Sequence, residues 1–475
     1  MKTADKPNIL LILIDDLGWR DLTCFGSEFY ETPYLDQLAA NGMRFTHAYA
    51  SAPVCSPTRA SLLTGRYPAR VGVTDWIYWG HVRHPCRGRL IDAPYVDHLP
   101  LSEISLARAL RQAGYATWHV GKWHLGGPDF YPQHHGFDVN IGGCEWGMPM
   151  HGYFSPWGCP TLQDGPPGEY LTDRLTEEAI RLIEKSPSDQ PFFMHLAHYA
   201  VHIPIQVPNH YVEKYREKAK RLGLDQARTF EEGEYFPCEH KRHLRVIRRL
   251  LQSDPAYAGM IENLDWNIGR VLAALSATGR ADNTVVIFTS DNGGLATSEG
   301  SPTCNAPLSE GKGWVYEGGT RVPLIIKWPG KTPCGAICTT PVTSPDLYPT
   351  ILQMAGLDLM SHQHCDGESL VPLLAGSGLL AREAIFWHYP HYGNQGGTPA
   401  SSMRIGHYKL IEFFEDGRLE LYNLREDPSE DNNLAQDKPA LANELQARLA
   451  VWRQTVNAKL PLPNPDYQAT YATSH

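Results

Sequence analysis

The chain alternates short apolar runs of strand length with longer stretches of helical period. Residues 8–16, NILLILIDD, carry an unbroken apolar run from Ile9 to Ile14 that two aspartates close. A run without polar alternation suits a central parallel strand, because helices cover both of its faces. TPYLDQLAANG then reads as a helix stopped by Asn41-Gly42. Further strand-like runs lie in YATWHVGKWHLG, PFFMHLAHYAVHIP, NTVVIFTSDNGG and VPLIIKWPG, separated by helical patterns such as LSEISLARALRQAG and DPAYAGMIENLDWNIGRVLAAL. Strands alternating with helices predict an α/β domain with a large, mostly parallel sheet sandwiched by helices. Ligands of such sheets bind beyond strand ends, so polar residues there are the first candidates for chemistry.

From about residue 380 the pattern changes. EAIFWHYP, SMRIGHYKLIEFF and RLELYNL read as antiparallel strands with the turn EDG between the last two, and KPALANELQARLAVWRQTV as an amphipathic closing helix. The expected organisation is a large α/β domain over residues 1–379 and a smaller C-terminal α+β subdomain over residues 380–475. The charge-rich stretch 210–250 reads as solvated helix faces, and no internal repeat stands out.

Composition narrows the function classes. With 475 residues, 42% of them hydrophobic, the chain can bury a large core, and single cores stop growing well before this length. Against 42 Lys+Arg stand 52 Asp+Glu, a formal charge of -10. That argues against a nucleic-acid binder with a broad basic face and leaves room for a local cationic pocket. The ten cysteines are scattered, the only close pair in sequence being Cys334 and Cys338. No zinc-like Cys/His spacing appears, so most read as free or buried thiols. The stretch Ile9 to Ile14 is too short for a membrane span and lacks a cleavage-like region. The protein reads as soluble, periplasmic or secreted if an export signal was trimmed, and cytoplasmic otherwise.

Asp15 and Asp16 close the first apolar run. Adjacent carboxylates at a strand end repel each other, and desolvation adds to the cost unless a cation compensates. The plain alternative is a helix cap plus a surface acid. A second pair, Asp291-Asn292, follows TVVIFTS in the same way, and two strand ends delivering oxygen ligands can share one hard cation. In GKWHLG, Lys122 and His124 project on the same side of an extended segment. A lysine charge and a histidine for proton transfer suit a phosphoryl or sulfuryl group, although a Lys-Trp-His loop taken alone is more often plain surface. His202 in AVHIP and Lys312 in EGKGWVYEGGTRVP are similar cases, with Gly311 and Gly313 letting the backbone at Lys312 approach a ligand. His195 and His198 read as structural.

The segment VCSPTRASLLTGR places a cysteine at a helix start. Ser56 and Pro57 suit the cap and first helical position, and Gly65 suits the stop. Cys55 then precedes a helix N-terminus, where free N–H groups favour negative charge, with Arg59 able to point back over that end. A thiolate nucleophile is one reading, but it leaves the two acid pairs unexplained.

CSPTRASLLTGR resembles the signature of type I sulfatases, the formylglycine-dependent enzymes that share the alkaline phosphatase superfamily fold. Cys55-Ser56-Pro57-Thr58-Arg59 matches the C-x-P-x-R core and Leu63-Thr64-Gly65 its downstream part. Asp15 and Asp16 match the family's first metal pair, Asp291 and Asn292 the second, and Lys122 and His124 its lysine–histidine loop. His202 matches the histidine of a Pro-His-x-Pro segment, with Val201 standing where proline is common, and Lys312 matches the lysine before YEGGTRVP. The similarity extends to YKLIEFFEDGRLELYNLREDPSEDNNLA near the C-terminus.

The resemblance implies that a maturation enzyme oxidises Cys55 to formylglycine and that its hydrated diol attacks a sulfate monoester. It implies one cation, calcium or magnesium, on Asp15, Asp16, Asp291, Asn292 and residue 55. Arg59, Lys122 and Lys312 would offset charge on the sulfuryl group, His202 with Lys312 would protonate the leaving alcohol, and His124 would orient or deprotonate the diol. Residues 144–158 and 387–397 are rich in aromatics, histidine and glycine, which suits either a sugar or an aromatic domain interface. They resemble stretches of bacterial glycan sulfatases, so a sulfated saccharide is the expected substrate, with His388 and His391 contacting it. Two other activities fit parts of the pattern: a phosphonate monoester or phosphodiester hydrolase of the same superfamily, and a non-catalytic binder of sulfated glycans.

Overall fold

The run Asn8–Ile14 forms strand β1 in the middle of the main sheet, and its packing explains why Ile9 to Ile14 carry no polar position. Leu10, Ile12 and Ile14 enter one hydrophobic core, while Ile9, Leu11 and Leu13 enter the other. All six are fully buried, and burying a side chain of this size is worth about 1.5–3 kcal/mol. A polar substitution on either face therefore meets an apolar layer. The computed structural model describes residues 6–77, 87–376 and 378–467.

The next strands in order are β2 (Met43–Tyr49), β3 (Leu90–Ile91), β4 (Ala116–Gly121), β5 (Val139–Ile141) and β6 (Phe192–Ala197). They are followed by β7 (Phe230–Tyr235), β8 (Arg245–Arg249), β9 (Thr284–Ser290), β10 (Arg321–Lys327), β11 (Ala336–Cys338) and β12 (Val342–Thr343). The main sheet has nine strands in the order β11-β2-β10-β9-β1-β6-β4-β5, with β12 pairing to β2. From β9 through β5 every pairing is parallel, and only β10 runs antiparallel to its neighbours β9 and β2. Helices cover both faces, the longest being Pro255–Ala277, whose N-cap Asp254 accepts from Ala256 N–H and Tyr257 N–H. This is the large, mostly parallel sheet the sequence predicts.

The C-terminal sheet is antiparallel, β13 (Ala384–Tyr389), β14 (Ala400–Ile405), β15 (Tyr408–Phe413) and β16 (Leu419–Asn423) in that order. SMRIGHYKLIEFF, expected to be one strand, is two: the chain turns at Gly406-His407 and β14 pairs with β15. The positive φ of Gly406 permits a turn that apolar patterning cannot reveal. The closing helix Pro439–Thr455 lays Leu445, Leu449 and Trp452 against Met403, Leu410 and Leu421 of this sheet. A last strand, β17 (Leu462–Pro463), pairs with β3.

Residues 210–250 are also only partly as expected. Asn209–Arg221 is helical, but β7 and β8 form an antiparallel ribbon whose β7 strand is exposed. Its charges pair across strands, as in Arg248 with Glu234 at 2.8 Å, which hides the alternation a strand usually shows. The described cysteines are all free; the pair that comes together is Cys144 and Cys159, with Sγ atoms 3.9 Å apart. Among the described residues no helix is long and apolar enough to cross a membrane.

Candidate active site

Four neighbouring strands, β9, β1, β6 and β4, deliver the site at their carboxyl ends. Ile14 pairs in register with Ser290, so Asp15-Asp16 and Asp291-Asn292 leave the sheet side by side. Ala197 of β6 pairs with both Leu13 and Gly121, which sets Lys122 and the loop to His202 next to them. Gly121 has φ 104°, and a Cβ there would lie 1.9 Å from Ala197 O, so only glycine lets Lys122 turn in under the acid pair. Asp16 and His124 take left-handed φ values of 60° and 57°. Such backbone is uncommon for residues with a side chain and aims both inward.

The acids and cations are interlocked and buried. Lys122 Nζ donates to Asp15 Oδ2 at 2.6 Å, and Lys312 Nζ donates to Asp16 Oδ2 at 2.8 Å. Asn292 Nδ2 donates to Asp16 Oδ1 at 2.8 Å, and Asp16 N–H donates to Asp291 Oδ1 at 3.2 Å. Arg59 Nε donates to Asp291 Oδ2 at 2.8 Å and its Nη1 to the Lys122 carbonyl at 2.9 Å. His202 Nε2 accepts from Lys312 Nζ at 2.9 Å and lies 3.5 Å from Asp16 Oδ2. Asp15, Asp16, Cys55 and His202 each offer a ligand atom within 4.8 Å of the others.

The cluster favours a cation. Burial pushes the Asp15 carboxyl up to about 8; Lys122 works against this, while Asp291 and Asp16 add to it. Asp16 goes the other way: burial would raise it, but Lys312, His202 and Lys122 together hold it below the usual carboxylate range. Asp15 Oδ1 and Asn292 Oδ1 are buried without a hydrogen-bond partner. Two orphaned oxygens beside a suppressed carboxylate are costly unless an oxygen-seeking ion accepts them. The donor set, three carboxylates and an amide oxygen, fits a hard divalent cation.

Cys55 is fully buried and is itself the first residue of the helix Cys55–Thr64, with Val54 as its cap. This corrects the expectation that Ser56 caps a helix starting at Pro57. The Ser56 hydroxyl is occupied elsewhere: it donates to the His124 carbonyl at 2.9 Å and accepts from Ile77 N–H at 3.1 Å. Gly65 stops the helix as predicted, with φ 69°. His124 Nε2 donates to the Ile77 carbonyl at 2.8 Å, leaving Nδ1 without a partner, and burial followed by Lys122 holds the ring neutral.

Other expectations come out differently. A Cβ on Gly311 would meet Gly294 O at 2.3 Å, and one on Gly313 would meet Gln395 Oε1 at 2.3 Å. These glycines let the Lys312 loop pack on protein rather than on a ligand. In the aromatic stretch 144–158, Tyr153 and Trp157 are buried. Tyr153 Oη donates to the carbonyls of Tyr199 and His202 at 2.8 and 2.9 Å, a brace for the His202 loop that reading the sequence had missed. Ser290 was also missed; its hydroxyl binds Ile14 O and Asn292 O and accepts from Leu17 N–H, tying the two acid loops together. A hydroxyl ending an apolar strand just before Asp291 was the available signal.

His195 faces His119, ring nitrogens 3.1 Å apart in the core, and His198 is buried beside the sheet, both structural as expected. His388 has both nitrogens engaged, with Ser401 Oγ at 2.6 Å and the Lys459 carbonyl at 2.8 Å. His391 bonds Asp92 Oδ1 at 2.6 Å and Thr74 Oγ1 at 2.9 Å. Thr74 lies three residues from Ile77, whose carbonyl holds His124, so His391 is linked to the catalytic loops and His388 is not.

The sulfatase family profile matches residues 7–357, and the profile of the N-sulphoglucosamine sulphohydrolase C-terminal region matches residues 311–455. The chain belongs to the sulfatase family. A sulfatase of Formosa agariphila is 32% identical over 98% of this chain and 94% of its own. The dog N-acetylgalactosamine-6-sulfatase is 32% identical over 85% of this chain and 71% of its own. The crystal structure of Ps i-CgsB in complex with k-i-k-neocarrahexaose superposes with a TM-score of 0.73 at 27% identity, covering 94% of this chain and 92% of that one. The protein is thus a sulfuric ester hydrolase with the alkaline phosphatase-like fold. For this sulfatase, membership implies a metal ion and a formylglycine made from cysteine.

Proposed function

We propose that this sulfatase hydrolyses a sulfate monoester on a carbohydrate, using a formylglycine at position 55 and one divalent cation, calcium or magnesium. The observation that carries the reading is the placement of Cys55 with Asp15, Asp16 and His202 inside a 4.8 Å cluster, flanked by Lys122 and Lys312. Asp15, Asp16, Asp291 and Asn292, with residue 55, would hold the ion, which supplies Lewis-acid polarisation of a sulfate oxygen. A hydrated aldehyde at position 55 supplies the attacking hydroxyl and a second hydroxyl through which the sulfate is expelled, which a thiol lacks.

The chain's own groups do the rest. His124 Nδ1, the unpartnered nitrogen, takes up a proton from the hydroxyl at position 55. Arg59 holds Asp291 and keeps that end of the site fixed, while Lys122 and Lys312 stabilise charge on the sulfuryl oxygens. Lys312 and His202 form the acid side, passing a proton to the departing alcohol. We assign sugar contact to the stretch around His391 rather than to His388: both rings are buried with both nitrogens engaged, but His391 bonds half-buried Asp92 and Thr74 on the side of the catalytic loops, whereas His388 bonds Ser401 and Lys459. We place the boundary between catalytic domain and C-terminal subdomain at residues 379 and 380, just ahead of β13.

The named activity of the relatives supports a sugar ester as substrate. The test is a peptide mass across Cys55 before and after co-expression with a formylglycine-generating enzyme, followed by assays of sulfated saccharides beside an aryl phosphonate and a phosphodiester. Conversion of Cys55 together with preferential turnover of a saccharide sulfate is expected. Preferential turnover of the phosphonate or diester would overturn the reading.

A further inference from the structure

A groove of about 710 Å³ opens at the seam between the main sheet and the C-terminal sheet. None of Asp15, Asp16, Cys55, Lys122, His202, Asp291 or Lys312 lines it, so it is separate from the catalytic cluster. Its walls nonetheless include Trp19 and Leu308, from the loops that carry Asp16 and Lys312. Four arginines line it, Arg321, Arg382, Arg404 and Arg425, with His47 and His407, against a single acid, Glu383. That acid is paired outward with Arg448 at 2.8 Å.

The positive charge is only partly cancelled from behind. Asp346 neutralises Arg382 through two bonds. Arg321 and Lys409 converge on Glu317, at 3.6 and 3.0 Å, and Arg404 adds a third charge nearby. The second carboxylate there, Glu430, is driven up to about 7, by burial first, despite Lys409. Lys409 also bonds Glu430 Oε1 at 3.0 Å, so Glu317 and Glu430 together offset Lys409 and Arg321, whereas Arg404 bonds Tyr49 Oη and Gly406 O, and Arg425 bonds His407. His47 lies in the same wall, and burial, then Arg321 and Arg404, push its ring down to about 3. Arg425 and His407 are exposed and bonded to each other at the rim. Thr339, Thr340, Trp19 and the exposed Leu379 supply hydroxyls and apolar surface between the cations. A groove that mixes guanidinium forks with hydroxyls and apolar faces matches a sugar ring bearing an anionic group, and its volume is that of a small-molecule site.

We propose that this groove is a second binding site for an acidic saccharide, taking sulfate- or carboxylate-bearing sugars of the polymer whose ester is cut in the catalytic cluster. The proposal rests on the reading of the substrate as a sulfated saccharide. It is tested with the double variant Arg425→Glu, His407→Ala, which alters only exposed rim residues. Dextran sulfate is the probe, neutral dextran the control, and turnover of a small aryl sulfate monitors the catalytic cluster, which both proteins share. Dextran sulfate should bind the variant about fivefold more weakly, with a flatter dependence on salt, while aryl sulfate turnover is unchanged and neutral dextran binds neither protein. Unchanged affinity for dextran sulfate, or loss of aryl sulfate turnover in step with it, would overturn the proposal. Absence of sulfate ester turnover in the unaltered, formylglycine-bearing protein would strike the proposed function instead, and the binding comparison would still decide the groove.

Discussion

Lys312 Nζ lies between Asp16 Oδ2, at 2.8 Å, and His202 Nε2, at 2.9 Å. An ammonium only donates, so His202 Nε2 accepts here and its Nδ1 donates to the Ile203 carbonyl at 2.9 Å. Burial alone would weaken the lysine's charge, but Asp16, residue 55 and Asp15 more than reverse that, and Lys312 stays protonated. With Nδ1 held by a backbone carbonyl no relay runs across the ring, so the proton for the departing alcohol would leave from the Lys312–His202 Nε2 pair itself. His202→Ala should lower kcat by about 10²–10⁴-fold on a sugar sulfate, whose alkoxide needs a proton, and far less on 4-nitrophenyl sulfate. Equal losses on both esters would remove the acid role.

Position 55 gives a sharper test. Cys55→Ser keeps a hydroxyl nucleophile at the helix start but provides no second hydroxyl to expel the sulfate. Turnover should be abolished while the fold, followed by its melting temperature, is retained, because serine is no larger than the buried cysteine it replaces. Near-normal turnover by purified serine variant would end the formylglycine reading.

The metal cluster predicts a stability effect that does not depend on activity. Asp15 and its neighbours repel one another in a fully buried site, and Asp15 Oδ1 and Asn292 Oδ1 have no protein donor. A bound cation relieves both, so calcium should raise the melting temperature after exhaustive chelation, by about 2.7 kcal/mol of stability at a hundredfold excess over its dissociation constant. Asp291→Ala should abolish the calcium-dependent rise. A melting temperature indifferent to chelator and calcium would remove the cation from this site.

How far the sequence reaches can be seen in these residues. The strand ends were legible because β1 is apolar on both faces and stops at charge, and because parallel register forces Asp15-Asp16 and Asp291-Asn292 together. The lysines and histidines became legible only through the signature, since Lys122 and His202 sit on loops whose direction depends on Gly121 and on the brace from Tyr153. The Ser56 hydroxyl was misread as a cap because its partners, His124 O and Ile77 N, are 68 and 21 residues away in sequence. The arginine groove was not legible at all: its four guanidinium groups come from separate elements spread over residues 321–425, and no local pattern joins them.

His198 yields a pH prediction. It is fully buried at the end of β6 and neither ring nitrogen has a hydrogen-bond partner. Burial pushes its imidazole down from 6.5 to about 4. The unfolded chain binds a proton at this residue below about pH 6.5 that the folded chain refuses until about pH 4, so its neutral state supports folding above that window and the support is lost as pH falls through it. By pH 5 the loss amounts to about 2 kcal/mol. His198→Phe fills a similar volume without a titrating group, so its stability relative to the parent protein should improve by about that amount between pH 8 and pH 5. Urea unfolding at the two pH values measures it. If the two proteins lose stability in parallel, His198 is not the group that couples folding to acid.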